Sequence, residues 1–571
     1  MKFVIKELWL NFDYKEKKIV FFILAMMILA LLLETFVVSQ VYFIIKILMN
    51  QKSDFFSFLN ISQIIETTKY SSLVIYSLVY LNIIYFIKNI YIATFVYLEK
   101  KYIAAIQLKI TEKLFKSYLI RPYTFHTKNN SSSLINKVFY ESQYFESTLT
   151  NALTLVTEVL LLFFMLVLLV KTEPVAGLSL MIFFIVVSLI MHKIVSKKIN
   201  MWSDSRFLSS NETIKNLNFF FHSFKILKIL GKENNFIGTF SKNFYNILNF
   251  SRLYKIANAY PRLFFEFCCV FGFTILGFVV ILQSRDYADI IPIAGLFGAA
   301  AFRILPSFNR VTTGSQALQN AKPILINLLH DLKYKNKNVI EVNYIDKFPN
   351  KLTFENISYH HNNSQKQVIK NLNFEINKYD CVGIVGESGA GKTTFLNLLL
   401  GLLHPTKGIV RLDDKEINTN TYQFRGCVGY VPQSIYLSDD TLIKNIAYAE
   451  TGELIDHNKI KEAINLSGLS GFVDDLPQGL DTIVGEDAMR VSGGQRQRIA
   501  IAQSLYNKPD LLIFDEATSS LDIDSEEKIL ESIQKIKSTK TLVIVSHRQS
   551  TLKYCDKIFE MKNGSLQLLS S

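Results

Sequence analysis

A chain of 571 residues exceeds the about 100 to 200 residues of one globular domain, so two or more parts are expected. Nearly half of it is apolar, yet 62 Lys and Arg against 49 Asp and Glu leave a formal net charge of +13. A basic balance suits either nucleic-acid binding or the cytoplasmic loops of a membrane protein, and the distribution of the charge excludes the first.

The N-terminal segment carries Lys2, Lys6, Lys15, Lys17 and Lys18 before an apolar run that is too long for a signal peptide and has no convincing small-residue cleavage site. It is expected to stay as a membrane anchor. A helix needs roughly 20 mostly apolar residues to cross the hydrocarbon core. Six such runs precede residue 320: Ile19 to Ile45, Ser72 to Tyr97, Leu153 to Val170, Val175 to Val195, Leu263 to Leu282 and Ile290 to Val311. Lysines cluster after the second run (Lys100, Lys101, Lys109, Lys113, Lys116) and the fourth (Lys193, Lys197, Lys198), which puts both termini in the cytoplasm. The connections Leu98 to Thr150 and Ser196 to Pro261 are then cytoplasmic, and their scarcity of Gly and Pro predicts helices that project beyond the membrane. Between the first two runs, Phe55, Phe56, Phe58, Leu59, Ile61, Ile64 and Ile65 fit either a short amphipathic helix on the outer surface or a packed hairpin. The five cysteines, Cys268, Cys269, Cys381, Cys427 and Cys555, show no metal-ligand spacing and read as unbridged and structural. The expected division is a transmembrane domain over 1–332, a Lys- and Asn-rich linker over 333–348, and an α/β domain over 349–571.

The α/β domain carries the chemistry. Gly386, Glu387, Ser388, Gly389, Ala390, Gly391, Lys392 and Thr393 follow an apolar strand, Cys381 to Val385, and open a helix at Thr394. This is the P-loop pattern in its strand-loop-helix setting. Its backbone N–H groups close around phosphate oxygens, Lys392 reaches the outer phosphates of ATP and Thr393 ligates Mg2+. Downstream, the apolar strand Leu511 to Phe514 ends in Asp515 and Glu516, at the edge of a parallel sheet where ligands bind. Asp515 suits the metal and Glu516 the attacking water.

Between these lies VSGGQRQR, Val491 to Arg498, and the order P-loop, VSGGQ, LLIFDE resembles the ATP-binding cassette (ABC) family. The resemblance implies a six-span α-helical transmembrane domain of exporter type and a cytoplasmic P-loop ATPase that hydrolyses ATP as a dimer to drive transport. It makes Gln433 in YVPQ the Q-loop residue, near both metal and water, and Asp481 to Glu486 the exporter segment. Asp522, ending SSLD, belongs to the D-loop, and His547 in SHR is the switch histidine. Ser492, Gly493, Gly494 and Gln495 would close over ATP held by a partner's P-loop, and with every motif intact a homodimer is expected. Two positions depart from the family pattern. His361 in ISYHHN stands where an aromatic ring stacks on adenine, with Tyr359 two residues earlier, and Gln503 replaces the usual arginine after the signature.

In exporters the tips of the long cytoplasmic connections dock onto the ATPase, and by position these fall near Arg121 to Lys128 and Phe220 to Gly231, with Pro122, Tyr123 and Phe125 forming a docking knob. Lys88, Arg262 and Arg303 lie in or against apolar spans, where a charge is costly and faces a cavity. Counting along the helices places Lys88, Arg303 and Arg262 roughly 24, 20 and 33 Å from the outer ends of their spans. A ring of such charges suits an anionic headgroup, although Arg262 could snorkel and Glu34 and Glu266 could neutralise the cations. LETF around Glu34, Pro261-Arg262 with Glu266, and FRILPSFNRV from Phe302 to Val311 resemble bacterial flippases of lipid-linked oligosaccharides, the PglK type. That resemblance implies a polyprenyl-pyrophosphate-linked glycan moved from the cytoplasmic to the outer leaflet of the bacterial inner membrane. It also implies no nucleic-acid partner. An ABC exporter of a peptide, lipid or hydrophobic small molecule is the alternative, and a non-transporting ATPase is disfavoured by six apolar runs.

Overall fold

The computed structural model describes residues 13–49, 70–282, 287–332, 343–361, 367–417, 422–424, 426–448, 450, 454–485, 491–517 and 523–570, with a number of side chains, most of them at 176–200 and 268–290, outside the description. The segment from Phe55 to Ile65 and the D-loop with Asp522 therefore fall outside the described residues, as does Glu486. The chain divides into two compact units, one of Met1–Arg121 with Asn129–Lys335 and one of Pro122–Lys128 with Asn336–Ser571.

In chain order the first helices are α1 Tyr14–Leu48, α2 Tyr70–Ile120, α3 Tyr123–Lys128, α4 Ser131–Asn136, α5 Ser142–Thr172, α6 Pro174–His222, α7 Phe224–Leu230, α8 Glu233–Leu282 and α9 Tyr287–Leu332. Helix α1 starts with a capping box, in which the Asp13 backbone N–H donates to Glu16 Oε2 at 2.7 Å. With 51 residues, α2 runs roughly 76 Å, far more than the about 30 Å of a hydrocarbon core, as expected of a span continued into a cytoplasmic extension. Its outer half exposes Ile83, Phe86 and Ile87, side chains that suit lipid. Between α5 and α6 the chain reverses at Glu173, with Pro174 at the first helical position, where its missing N–H costs nothing. Four helices among the described residues are long and apolar enough to cross a membrane: Tyr14–Leu48, Tyr70–Ile120, Ser133–Thr172 and Ile291–Leu332. The fourth and fifth apolar runs lie on α6 and α8, where many side chains are undescribed. Helix α8 continues through Pro261, which marks the junction of extension and span in the sequence, and α9 likewise contains Pro292, Pro306 and Pro323. A single lost backbone hydrogen bond is tolerated inside a long packed helix.

The core of this unit joins α1, α5, α8 and α9 through Leu31, Val38, Leu161, Met165, Phe265, Leu296, Ala300 and Phe308, with Phe265 stacked on Phe308 at 4.8 Å. At the far end of α9, the buried Asp331 accepts from Lys137 Nζ at 2.7 Å, the Tyr118 hydroxyl at 2.8 Å and Arg121 Nη2 at 3.3 Å, tying α2 and the segment after α4 to α9. Burial pulls its pKa upward, but Lys137 and Tyr118 outweigh burial and hold it below the usual carboxylate range. A depressed folded-state pKa contributes stability that is complete above the unfolded-state value and is lost as pH falls through the folded one. Asp331→Asn keeps the shape but removes the charge, and at pH 7 it should cost about 2 kcal/mol in denaturant unfolding. Towards pH 3 the difference between parent and variant should shrink, and an equal midpoint at pH 7 would refute the role.

The second unit begins with α3, so the segment expected as the first docking tip groups with the ATPase. The other expected tip forms α7, closed by Gly231 in the left-handed conformation at φ +58°. Strands β1 Asn343–Ile345, β2 Lys351–His360, β3 Gln367–Asn377 and β4 Cys381–Val385 lead to helix α10, Lys392–Leu399. Next come β5 Lys407–Leu412, β6 Lys415–Ile417, β7 Tyr422–Phe424, β8 Val428–Val431, β9 Asp440–Thr441 and β10 Ile483–Val484. Helix α11, Gly493–Leu505, precedes β11 Leu511–Asp515, β12 Thr541–Val545, β13 Lys557–Lys562 and β14 Ser565–Ser570. The main sheet runs β14-β13-β4-β12-β11-β8, parallel except at the β13-β14 hairpin, and β3-β2-β5-β6 form an antiparallel sheet. Strands β4, β11 and β12 are apolar and buried throughout or nearly so, the pattern of a central parallel sheet covered on both faces. Asn343 to Phe348, the end of the stretch read as linker, is built into this unit: β1 pairs with β7, and Phe348 packs in the core beneath the P-loop helix.

Candidate functional site

Strand β4 delivers the chain to Gly386, whose φ of +153° and close approach to the Met561 carbonyl, 2.4 Å from where a Cβ would sit, exclude a side chain. Gly391, at φ +110°, caps α10, and the start of a helix is where an anion binds. Lys392 is buried and its Nζ donates to the carbonyls of Gly386 at 2.7 Å and Glu387 at 3.4 Å. The same ammonium lies 2.8 Å from His547 Nε2 and 3.5 Å from Glu516 Oε1. An ammonium only donates, so Nε2 of His547 is the acceptor there.

Glu516 follows the last residue of β11 in a left-handed conformation, φ +50°, a strain typical of functional positions. It accepts from Gln433 Nε2 at 2.7 Å and lies 3.3 Å from His547. Lys392, Gln433, Glu516 and His547, drawn from four separate motifs, thus meet at one point. Asp515, at the end of β11, is buried, and burial raises its pKa. Its Oδ2 accepts from the Tyr430 hydroxyl at 2.9 Å. Nothing in the YVPQ sequence itself marks Tyr430 as a partner of the carboxylate. Pairing of β8 with β11 sets Tyr430 against Ile513, within reach of the carboxylate. Gln433 gives its Nε2 to Glu516, which leaves its carbonyl oxygen, with the Thr393 hydroxyl and the Asp515 carboxylate, as a hard oxygen donor set that fits Mg2+.

Ser492 caps α11: its Oγ accepts from the Gln495 N–H at 3.2 Å, and its own N–H donates to Gln495 Oε1 at 2.8 Å. The capping box fixes the start of the helix with Gly493 and Gly494 in its first turn. His361 is exposed at the end of β2, with Nδ1 3.4 Å from the Tyr359 hydroxyl and the rings edge to face at 5.2 Å.

The basic residues of the membrane unit do not form one cluster. Lys88 Nζ sits 4.6 Å over the Tyr85 ring, and Arg262 pairs with Glu266 one turn on at 3.0 Å. Arg303 grips Glu34 with two bonds of 2.5 and 2.9 Å, and its third nitrogen lies 3.7 Å from the buried Glu158, which Arg310 holds at 2.9 Å. Arg310, within FRILPSFNRV but not singled out in the sequence, completes this network. Arg262 and Glu266 border a cavity of about 470 Å³ together with Asn258 and Asn309. The carboxamide oxygens of both asparagines are buried without a hydrogen-bond partner.

The ABC transporter family matches residues 369–519. An "ATP-dependent lipid A-core flippase" of Ralstonia nicotianae is 26% identical over 467 residues, covering 80% of this chain and 78% of that protein. A protein of the same description from Wigglesworthia glossinidia brevipalpis is 29% identical over 80% of this chain and 79% of its own. One from Coxiella burnetii reaches 39%, over 38% of this chain and 36% of its own. Among solved structures, a bacterial Atm1-family ABC exporter with ATP bound superposes with a TM-score of 0.78 at 19% identity, covering 98% of this chain and 96% of that one. The P-loop, the carboxylates after β11, the capped signature helix and the full-length fold agree: residues 369–519 are an ABC transporter domain, and the chain has the fold of an ABC exporter, a helical membrane domain joined to an ATPase domain whose hydrolysis of ATP is coupled to transport.

Proposed function

We propose that two copies of this chain form a flippase that uses ATP to move a lipid-linked oligosaccharide, carried on a polyprenyl pyrophosphate, from the cytoplasmic to the outer leaflet of a bacterial inner membrane. The observation that carries the cargo reading is the cavity at Arg262, where a guanidinium stands beside two carboxamide oxygens that lack hydrogen-bond partners. A guanidinium meets a phosphate oxygen, and a carboxamide acceptor meets a sugar hydroxyl. Lys88 adds a positive charge in the same unit, whereas Arg303 and Arg310 are balanced by Glu34 and Glu158.

In the ATPase, Lys392 and the N–H groups of 386–393 hold the outer phosphates, and Gln433 orients Glu516, which accepts a proton from the attacking water. His547 stands beside Lys392 and Glu516, placed to hold the γ-phosphate edge, and Thr393, Asp515 and Gln433 would hold Mg2+, which supplies charge neutralisation on the phosphates. Ser492, Gly493, Gly494 and Gln495 present a capped helix start to the partner's nucleotide.

A second reading follows from the relatives' names: a glycolipid of lipid A-core type, which also carries phosphates beside sugars, would use the same contacts. The test is ATPase activity of the purified chain in nanodiscs with a polyprenyl-pyrophosphate glycan, with lipid A-core and with neither. Stimulation by the first alone supports the proposal. Stimulation by lipid A-core alone selects the second reading, and activity indifferent to both overturns each.

A further inference from the structure

A second cavity, of about 730 Å³, opens in the membrane unit among the segments 135–144, 203–218, 247–251 and 320–324. These lie in the cytoplasmic connections and beyond the sixth apolar run, and share no residue with the cavity at Arg262. Glu141 lines it while only 6% exposed, and its Oε2 has no hydrogen-bond partner. It closes a π-helical segment, Lys137–Glu141, the kind of helical irregularity that redirects a side chain and recurs at functional sites. Burial, with Asp331 adding to it and Lys137 opposing, pushes the Glu141 carboxyl up to about 7, as happens to a carboxylate with no donor. Across the same cavity, Arg206 donates to Asn320 Oδ1 at 3.2 Å, and neither Glu141 nor Arg206 forms an ion pair among the described residues. Tyr140 and Tyr144 supply rings, and Asn211 a further carboxamide.

We infer that this cavity docks the sugar part of the cargo, with saccharide hydroxyls shared between Glu141 and Arg206 and a ring face against Tyr140 or Tyr144. The inference rests on the flippase reading and adds a site to it. Glu141 in its ionised form repels a phosphate, and Arg206 repels a simple cation. A hydroxyl both donates and accepts, so the hydroxyls of one saccharide suit the carboxylate and the guanidinium alike. Leaving Glu141 unmatched costs free energy that such a ligand recovers.

Of the two tryptophans, Trp202 adjoins Ser203 in the cavity wall, so a Trp9→Phe chain in nanodiscs makes Trp202 the sole tryptophan reporter. The probes are a lipid-free, phosphate-free oligosaccharide, inorganic pyrophosphate and a tripeptide. The oligosaccharide should change Trp202 fluorescence saturably, pyrophosphate should not, and Glu141→Gln or Arg206→Gln should each weaken sugar binding about tenfold or more with basal ATPase activity unchanged. Tyr144→Leu, which keeps both charges, should weaken it less, and unchanged melting temperatures exclude misfolding as the cause. No saturable sugar binding, equal binding by all variants, or a response to the tripeptide alone overturns the site. If the intact lipid-linked glycan still stimulates ATPase activity in the parent and equally in Glu141→Gln, the site fails while the flippase reading stands. If it stimulates neither, the flippase reading itself fails.

Discussion

Glu516→Gln is expected to lower ATP turnover by about 10²- to 10⁴-fold while ATP still binds. The substitution keeps the size of the side chain and an oxygen able to accept from Gln433, which reaches the glutamate at 2.7 Å. What it removes is the carboxylate that Gln433 holds in place to take a proton from water, while Lys392 keeps its contacts with the Gly386 and Glu387 carbonyls and with His547. The P-loop and its lysine are untouched, so nucleotide affinity measured by a fluorescent ATP analogue should stay within a few-fold of the parent. Turnover within tenfold of the parent would move the base elsewhere, and lost ATP binding would mean that the strained turn at φ +50° had collapsed. Gln433→Ala should act in the same direction but less severely, because it removes the group that holds Glu516 rather than the base.

Most of the ATPase site was readable in sequence because its parts are local. A glycine loop, a lysine and a helix start are consecutive residues, and an apolar run ending in Asp515 and Glu516 announces a strand edge by itself. That Lys392, Glu516 and His547 meet follows from β4, β11 and β12 being neighbours in the parallel sheet, an order that no single motif contains. Tyr430 was hidden for that reason: its partner Asp515 lies 85 residues away, and only strand pairing brings them together. Asn343 to Ile345 looked like linker because three residues opposite Tyr422–Phe424 carry no pattern of their own. In the membrane unit the costly charges were visible, since an arginine in an apolar run stands out. Their partners were less so, because pairing between helices depends on rotation about each axis. Glu34 was foreseen as a neutralising group for Arg303, whereas Glu158 and Arg310 came to notice only in three dimensions.

The network at Arg303 separates a structural from a cargo role by experiment. Arg303→Ala leaves Glu34 without its two bonds and withdraws one cation from the buried Glu158, and because the Arg303–Glu34 pair is part-buried the loss should fall towards the lower end of the about 3–5 kcal/mol for a buried pair broken from one side. The melting temperature of the protein in nanodiscs should fall sharply, as it should for Glu34→Ala, which strands the arginine instead. The double variant Arg303→Ala with Glu34→Ala strands neither, so its loss should be smaller than the sum of the two single losses by about 0.5–3 kcal/mol. Additive losses would mean that the pair does not act as a unit. Stimulation by the lipid-linked glycan divides the roles further. If Arg303 also meets the pyrophosphate, the double variant regains stability but not stimulation, whereas an arginine confined to bracing α1 against α9 gives back both.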